Sequence, residues 1–155
     1  QNVNLDDPTG RKGVSLNTRW ELDDDLMLTL NGTWQRATFE AGPWAHNDIP
    51  LVPDRTGYLR ADWSPLEWLR VSLAHRYTGQ RHLDNDQANQ SPRLDSYRMT
   101  DVILRAEHRG VFAEMGVYNL EDNIVADYGI RTGPTTFNAY PLPEKHVIMT
   151  VGVEL

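Results

Sequence analysis

The sequence predicts an all-β fold: an antiparallel up-and-down transmembrane β-barrel segment of about seven strands. Seven segments alternate apolar and polar residues with a period of two, which is typical of strands with one wet face. The connections between these segments are alternately short and long. The apolar face of each segment carries no formal charge across its middle. Helical periodicity is hard to find anywhere in the chain.

Each predicted strand is about ten residues long, which is enough to cross a bilayer when the strand is tilted. In the first one, Val14, Leu16 and Trp20 fall on one face and polar residues alternate with them. The last one keeps its alternation up to the final residue, Leu155. The predicted strands are residues 13–22, 26–34, 57–63, 68–79, 99–108, 111–120 and 146–155.

The connections fall into two classes of length. Tight turns are predicted at residues 23–25, 64–67 and 108–110, and long loops at residues 40–53, 81–96 and 121–143. The long segments are rich in Gly, Pro, Asn and Asp, as loops are. Short turns at one end and long loops at the other are typical of outer-membrane barrels.

The distribution of charged and aromatic residues favours a membrane barrel over a soluble β-sandwich, which also has one apolar and one polar face. Tryptophans cluster near the short turns and tyrosines lie toward the long loops, as in two aromatic girdles flanking an aliphatic band. The girdle residues are Trp20, Trp63, Trp68, Tyr77, Tyr97 and Tyr118. The charges of the polar face are Arg19, Glu21, Arg60, Asp62, Arg70, Arg76, Asp101, Arg105, Glu107, Glu114 and Glu154.

Composition excludes several classes of protein. The net charge of -7 argues against a general nucleic-acid binder, which carries a basic patch. The absence of cysteine excludes a disulfide framework and a thiolate metal site. The sequence contains no run of about 18 apolar residues, so no transmembrane helix is predicted. The chain opens at Gln1 and shows no signal peptide, so we expect a processed, cut or excerpted polypeptide.

An odd number of strands would leave two open sheet edges, which lipid does not tolerate. We therefore expect further strands before Arg11. The predicted division is a loop remnant on the extracellular side, residues 1–10, and a barrel portion, residues 11–155.

Three segments of the sequence resemble TonB-dependent outer-membrane receptors. "IPLVPDR" (Ile49–Arg55) is similar to the stretch before a late strand of that family. "GVYNLEDNIVADYG" (Gly116–Gly129) is similar to its G-V-x-N-L-F-D stretch, and "YPLPEKHVIMTVGVEL" (Tyr140–Leu155) to its run into the closing strand. The resemblance covers nearly the whole chain but a third or less of such a receptor.

The resemblance implies a particular function. The chain would be the C-terminal part of a 22-stranded barrel that imports a metal chelate, most often a ferric siderophore, across the outer membrane of a Gram-negative bacterium. TonB would supply the energy, acting on a plug and a TonB box that lie outside these residues. The implied partners are the rest of the barrel and its plug, outer-membrane lipid, TonB, the barrel-assembly machinery and the chelate, with no nucleic acid.

The last strand would then close the barrel against its first strand. Its outward residues would be Val147, Met149, Val151, Val153 and Leu155. Four residues at three places depart from the family pattern. Glu121 replaces an aromatic residue, Glu144–Lys145 replaces Gly-Arg, and Leu155 replaces the common terminal Phe that the assembly machinery reads.

The long loops supply the candidate ligand contacts. Aromatic and cationic side chains suit an anionic, aromatic chelate. The candidates are Trp44, His46, Arg81, His82, Arg131, Phe137 and Tyr140. The alternative for each of them is an ordinary solvated loop residue.

No catalytic residue, metal ligand or cofactor is predicted, and the chain is not expected to be an enzyme. No esterase, zinc-protease or phosphate-loop motif is present, although a serine such as Ser96 near His82 is compatible with a barrel enzyme. The segment Asp84–Asn89 loosely resembles a calcium loop but lacks its Gly and closing Glu. The alternative function is a small self-contained porin or an oligomeric barrel.

Overall fold

A computed structural model describes residues 7–154, and all of its regular structure is β. The seven predicted strands are confirmed, and two further short strands lie within the third long loop. Within the described residues no helix is long and apolar enough to cross a membrane. The strands are β1 Thr9–Asp23, β2 Leu26–Phe39, β3 Arg55–Leu66, β4 Leu69–Thr78, β5 Tyr97–His108, β6 Val111–Tyr118, β7 Ala126–Arg131, β8 Phe137–Pro141 and β9 His146–Val153.

Seven strands form one antiparallel sheet in the order β1-β2-β3-β4-β5-β6-β9, so each strand pairs with its neighbour in the chain apart from the β7–β8 insertion. The register joins apolar residues across the whole sheet, because alternate residues of every strand share a face. One such row of cross-strand neighbours is Trp20, Leu28, Ala61, Leu73, Val102, Val117 and Val147.

The apolar face of the sheet, hereafter the outer face, is open. Val14 is 73% exposed, Met149 74% and Val151 77%, and nothing in residues 7–154 covers them. A sandwich would bury such a face against a second sheet. The apolar residues of this face are therefore arranged for an apolar surrounding and do not form a core.

The buried core lies at the long-loop end of the molecule instead. Phe39 and Leu83 are fully buried, and Leu94, Tyr97 and Met99 are nearly so. These side chains come from strand ends and from the second long loop. The core thus fixes the loops to the sheet and leaves the middle of the sheet as a single layer.

The tyrosine girdle predicted near the long loops is wrong for two of its three members. Tyr77 lies on the outer face, in the row of Gly57. Tyr118 pairs with His146 on the opposite face, and the two rings stack 5.1 Å apart. Tyr97 is buried, and its hydroxyl donates to Asp127 at 2.7 Å. Tyr97 is thus held inward by a loop carboxylate, and Tyr118 by stacking on a ring of β9.

The remaining differences concern element boundaries. The third long loop contains the hairpin β7–β8, which the sequence reading missed. Strand β1 begins at Thr9, two residues before the predicted boundary at Arg11. The first six residues of the predicted loop remnant, and Leu155 of the predicted closing strand, lie outside the described residues.

The sheet has two edges within the described residues. Strand β9 pairs with β6 through Val147, Met149, Val151 and Val153, and β1 pairs with β2. The far sides of β9 and β1 meet no other strand of residues 7–154. These edges are where further barrel strands are predicted to pair.

Candidate ligand-binding site

The three long loops pack against one another at one end of the sheet. We name them loop A (residues 40–54), loop B (residues 79–96) and loop C (residues 119–145). Loops A and B are joined by backbone and amide hydrogen bonds. The Leu51 amide donates to the His82 carbonyl at 3.0 Å, and Asn47 Nδ2 donates to the Gln87 carbonyl at 2.9 Å. Loop A is therefore held in place by loop B.

Loop B also extends the hairpin of loop C. The Asp84 amide donates to the Gly129 carbonyl at 2.8 Å, and the Arg131 amide donates to the Asp84 carbonyl at 2.9 Å. On the other side of β7, Gly129 leaves room for Leu83 and Leu94, since a Cβ there would lie 2.7 Å from Leu83 and 2.9 Å from Leu94. Close approach of the two loops thus requires glycine at this position.

Arg81 of loop B is a buried cation that ties loop C down. Its guanidinium donates to the carbonyl of Ala126 at 3.0 Å and to the carboxylate of Asp127 at 3.1 Å. It also lies 5.6 Å from the centre of the Tyr97 ring, whose hydroxyl donates to the same carboxylate. Since Arg81 is only 3% exposed, it acts on the position of loop C.

Asp86 is a fully buried carboxylate at the centre of loop B. Its two oxygens accept from the amides of Gln90 and Ser91, both at 3.0 Å. Arg131 of loop C donates to it at 3.2 Å. This arrangement explains why the Asp84–Asn89 segment is folded inward, and it occupies the oxygens that a calcium loop would offer. No group of three metal-ligating side chains occurs in residues 7–154.

His82 is buried between two carboxylates. Its Nδ1 lies 3.5 Å from Asp86 and its Nε2 lies 3.8 Å from Asp48 of loop A. Burial lowers the pKa of His82 below its ordinary value, and the charge of Arg93 lowers it further, while the two carboxylates oppose the shift. The imidazole is therefore neutral at pH 7 and fills space between loops A and B.

The other candidate contacts lie on the solvent side of the loops. His46, Phe137 and Tyr140 are exposed, and Trp44 is half-buried. Tyr140 forms a tilted aromatic pair with Tyr128, with ring centres 5.5 Å apart. Such pairs offer a flat, weakly polar surface to a ligand ring.

Tyr128 is a surface residue that sequence reasoning missed. Its hydroxyl donates to the Asp84 carboxylate at 2.6 Å, and this hydrogen bond raises the pKa of the phenol. The hydrogen bond also fixes the position of the ring beside Tyr140. The sequence did not reveal this pair, because it depends on the register of β7 with β8.

The polar face of the sheet carries paired charges that lead away from the loops. Arg60 forms a two-pronged ion pair with Asp62, and Ser72 donates to the same carboxylate. Farther along, Arg76 pairs with Asp101 at 3.3 Å.

Arg105 joins the last three strands of the sheet. It pairs with Glu107 at 3.1 Å, lies 3.9 Å from Glu114 and also pairs with Glu154, the residue that follows β9. Its guanidinium carbon lies 3.9 Å from the centre of the Phe112 ring. Three arginines of the polar face are therefore paired with carboxylates, and the cluster around Arg105 has an excess of carboxylates.

The loops thus combine a rigid interior with an accessible aromatic surface. Of the predicted contacts, Arg81 and His82 lie inside, Arg131 reaches inward to Asp86, and His46, Phe137 and Tyr140 face solvent. Sequence reasoning missed the carboxylates that contact Arg81, His82 and Arg131, namely Asp48, Asp86 and Asp127. Their carboxylates look like solvated loop charges until the loops are brought together.

No protein-family model matches the chain, and no curated protein matches its sequence. Solved structures do match its fold. The ferric yersiniabactin uptake receptor FyuA from Yersinia pestis covers 91% of the chain with 21% identity and a TM-score of 0.79. The ferric-catecholate import receptor Fiu from E. coli K12 covers 92% with 18% identity and a TM-score of 0.76. The ferric citrate transporter FecA covers 94% with 17% identity and a TM-score of 0.78.

The chain spans 22% of FyuA, 20% of Fiu and 24% of FecA, so it corresponds to about a quarter or less of each. It has the all-β, antiparallel fold of a segment of these receptors' barrels. The resemblance to TonB-dependent receptors is confirmed at the level of the fold.

Proposed function

We propose that residues 11–155 form the C-terminal part of the 22-stranded barrel of a TonB-dependent receptor, which imports a metal chelate across the outer membrane of a Gram-negative bacterium. A ferric siderophore is the proposed chelate. The observation that carries the proposal is the single-layer sheet with one exposed apolar face, short turns at one end and packed long loops at the other, matched in three ferric uptake proteins.

The two faces of the sheet have distinct roles in this proposal. Lipid surrounds the outer face, because burying apolar surface away from water is favourable at about 25 cal/mol per Å². The polar face lines the lumen, where Arg60, Arg76 and Arg105 are neutralised by neighbouring carboxylates. Pairing of these three cations suits passage of an anionic chelate, since an isolated cation would hold it.

Direct contact with the chelate is proposed for His46, Trp44, Phe137 and Tyr140. Aromatic rings bind flat, delocalised ligands through stacking worth about 0.5–1.5 kcal/mol per pair. Arg81, His82 and Arg131 contribute as positioning residues, because they join the loops that present these rings. No residue of the chain is assigned a catalytic role, and no cofactor is needed.

The experiment is an iron-uptake assay in the source bacterium. The gene is deleted, and uptake of radioactive iron is measured from ferric citrate, a ferric catecholate and a ferric hydroxamate. We expect uptake from one chelate to be lost, and to return with the full-length gene. A strain without TonB should lose the same uptake. Unchanged uptake from every chelate would overturn the transport proposal, and uptake independent of TonB would favour the small porin.

The loop contacts are tested in the same assay. Phe137→Ala combined with Tyr140→Ala should raise the chelate concentration that gives half-maximal uptake roughly tenfold, because two aromatic contacts are lost. Trp68→Ala is the matched control, since it removes an exposed aromatic ring at the short-turn end. If both variants transport like the wild type, these two rings do not bind the chelate although transport itself stands.

A further inference from the structure

The outer face of the sheet contains an open groove of about 550 Å³. It lies across β1 to β4, near the long-loop end. Its walls are formed by apolar and aromatic side chains, among them Val14, Leu16, Trp34 and Tyr77. Aromatic rings are expected at this end of a barrel wall, so the feature to explain is the gap between them.

Two glycines that face each other make the floor of the groove. The register places Leu16, Gly32, Gly57 and Tyr77 in one row across four strands. A Cβ at Gly32 would meet nothing closer than 3.9 Å, and one at Gly57 nothing closer than 3.8 Å. Neither glycine is required by close packing within the chain. Both leave space for something outside it.

Cations stand at the loop-side end of the groove, also on the outer face. In the next row, Arg55 pairs with Trp34, and its guanidinium carbon lies 5.9 Å from the centre of the Trp34 ring. One row higher, Lys12 lies opposite Arg36. Three cations thus extend from the rim of an apolar trough, on a face that is otherwise free of charge across its middle.

Two carboxylates lie within ion-pair distance of these cations but leave them available. Asp54 is 3.6 Å from Arg55, whose side chain is 64% exposed. Asp48 is 3.8 Å from Arg36, but it lies closer to Arg93 at 3.4 Å. Exposed pairs at such distances contribute about 0–1 kcal/mol. A phosphate with two negative charges would compete with them readily.

We propose that this groove binds one acyl chain of a phosphorylated lipid, with the lipid phosphate held by Lys12, Arg36 and Arg55. The proposal rests on the proposed function in one respect, namely that the outer face meets lipid. Charge complementarity selects the headgroup, since each Lys or Arg near a membrane surface contributes about 1 kcal/mol toward an anionic lipid. Trp34 and Tyr77 flank the chain at the depth where aromatic rings anchor to the interface.

Lipid binding to the purified full-length protein in detergent tests this. Native mass spectrometry measures dissociation constants for dioleoylphosphatidic acid and dioleoylphosphatidylcholine, which share their chains and differ in headgroup charge. We expect tighter binding of the phosphatidic acid. The double variant Arg36→Gln/Arg55→Gln should raise the dissociation constant of phosphatidic acid about 25-fold, because each cation contributes about fivefold. The dissociation constant of phosphatidylcholine should not change. Gly32→Leu should weaken both lipids, because it fills the floor.

Two control variants place the same changes elsewhere. Arg19→Gln removes an exposed cation from the polar face, and Ala61→Leu adds apolar volume to the outer face beside Leu28 and Leu73. Equal binding of the two lipids by the wild type, or equal effects of the test and control variants, would overturn the proposed lipid site. The transporter proposal would still stand. Retention of neither lipid by the wild type would also overturn the proposed lipid site.

Discussion

Replacing Arg81 with Ala should release loop C from loop B. Arg81 is buried, and its guanidinium donates to the carbonyls of Gly79, Ala126 and Asp127 and to the Asp127 carboxylate. Alanine would leave these acceptors without their donor and would open a void beside Tyr97. The fold of the sheet should survive, because none of these contacts lies in its ladder.

The size of the effect follows from the contacts. Hydrogen bonds to a charged group contribute about 1.5–3 kcal/mol each, and neutral ones about 0.5–1.5 kcal/mol. The Asp127 side chain is half exposed, so water replaces part of the ion pair. We therefore expect the free energy of loop opening to fall by about 3 kcal/mol, near the lower end for breaking a buried pair. That corresponds to roughly 10²-fold faster exchange.

Amide hydrogen exchange read by mass spectrometry measures this directly on peptides covering residues 120–143. Arg81→Lys should give an intermediate rate, since lysine keeps the charge and loses the planar fork. Arg93→Ala is the control, because Arg93 is exposed and makes one 3.4 Å contact with Asp48. If Arg81→Ala raises exchange no more than Arg93→Ala, the ion pair does not hold the loop and the reasoning fails.

Three further predictions concern the same loops. The pKa of His82 is lowered by burial, so the opened loops bind more protons than the closed loops. The stability of the loops should therefore be full above about pH 6.5 and decline as the pH falls below it. His82→Gln should abolish this pH dependence of loop stability, measured by hydrogen exchange. Gly129→Ala should destabilise the loops by about 1–3 kcal/mol through overlap with Leu83 and Leu94, seen as faster proteolysis, and wild-type resistance would contradict the close packing. Asn119→Ala should lower the free energy of unfolding by about 2–4 kcal/mol, because the buried side-chain amide of Asn119 forms hydrogen bonds with Asn123 and Pro143. Asn119→Asp retains the acceptor, so its melting temperature should lie between those of the wild type and Asn119→Ala.

The strands and their faces could be predicted because the signal is local. Side chains alternate with a period of two, so the residues of one strand already tell which of them share a face. Val14, Leu16 and Trp20 of β1 are an example. The hairpin β7–β8 gives too short a signal, since its strands are only six and five residues long.

The candidate site was predictable only in part. Aromatic and cationic loop residues could be named from the sequence, but their exposure could not. Arg81 and His82 read like solvated loop residues and turn out to be buried, because their partners Asp127 and Asp86 lie 46 and 4 positions away. A buried charge needs a partner, and the partner is chosen by how the loops pack.

The sequence by itself determined the number of long strands, the turn and loop ends, and the division into an apolar and a polar face. Each of these follows from neighbours within about ten residues. Only the tertiary structure decided that the three loops pack together through buried polar contacts. It also decided that Gly32 and Gly57 pair on the floor of a groove next to Arg55. Those features depend on strand register and loop packing, which join residues far apart in the chain and leave no periodic trace in it.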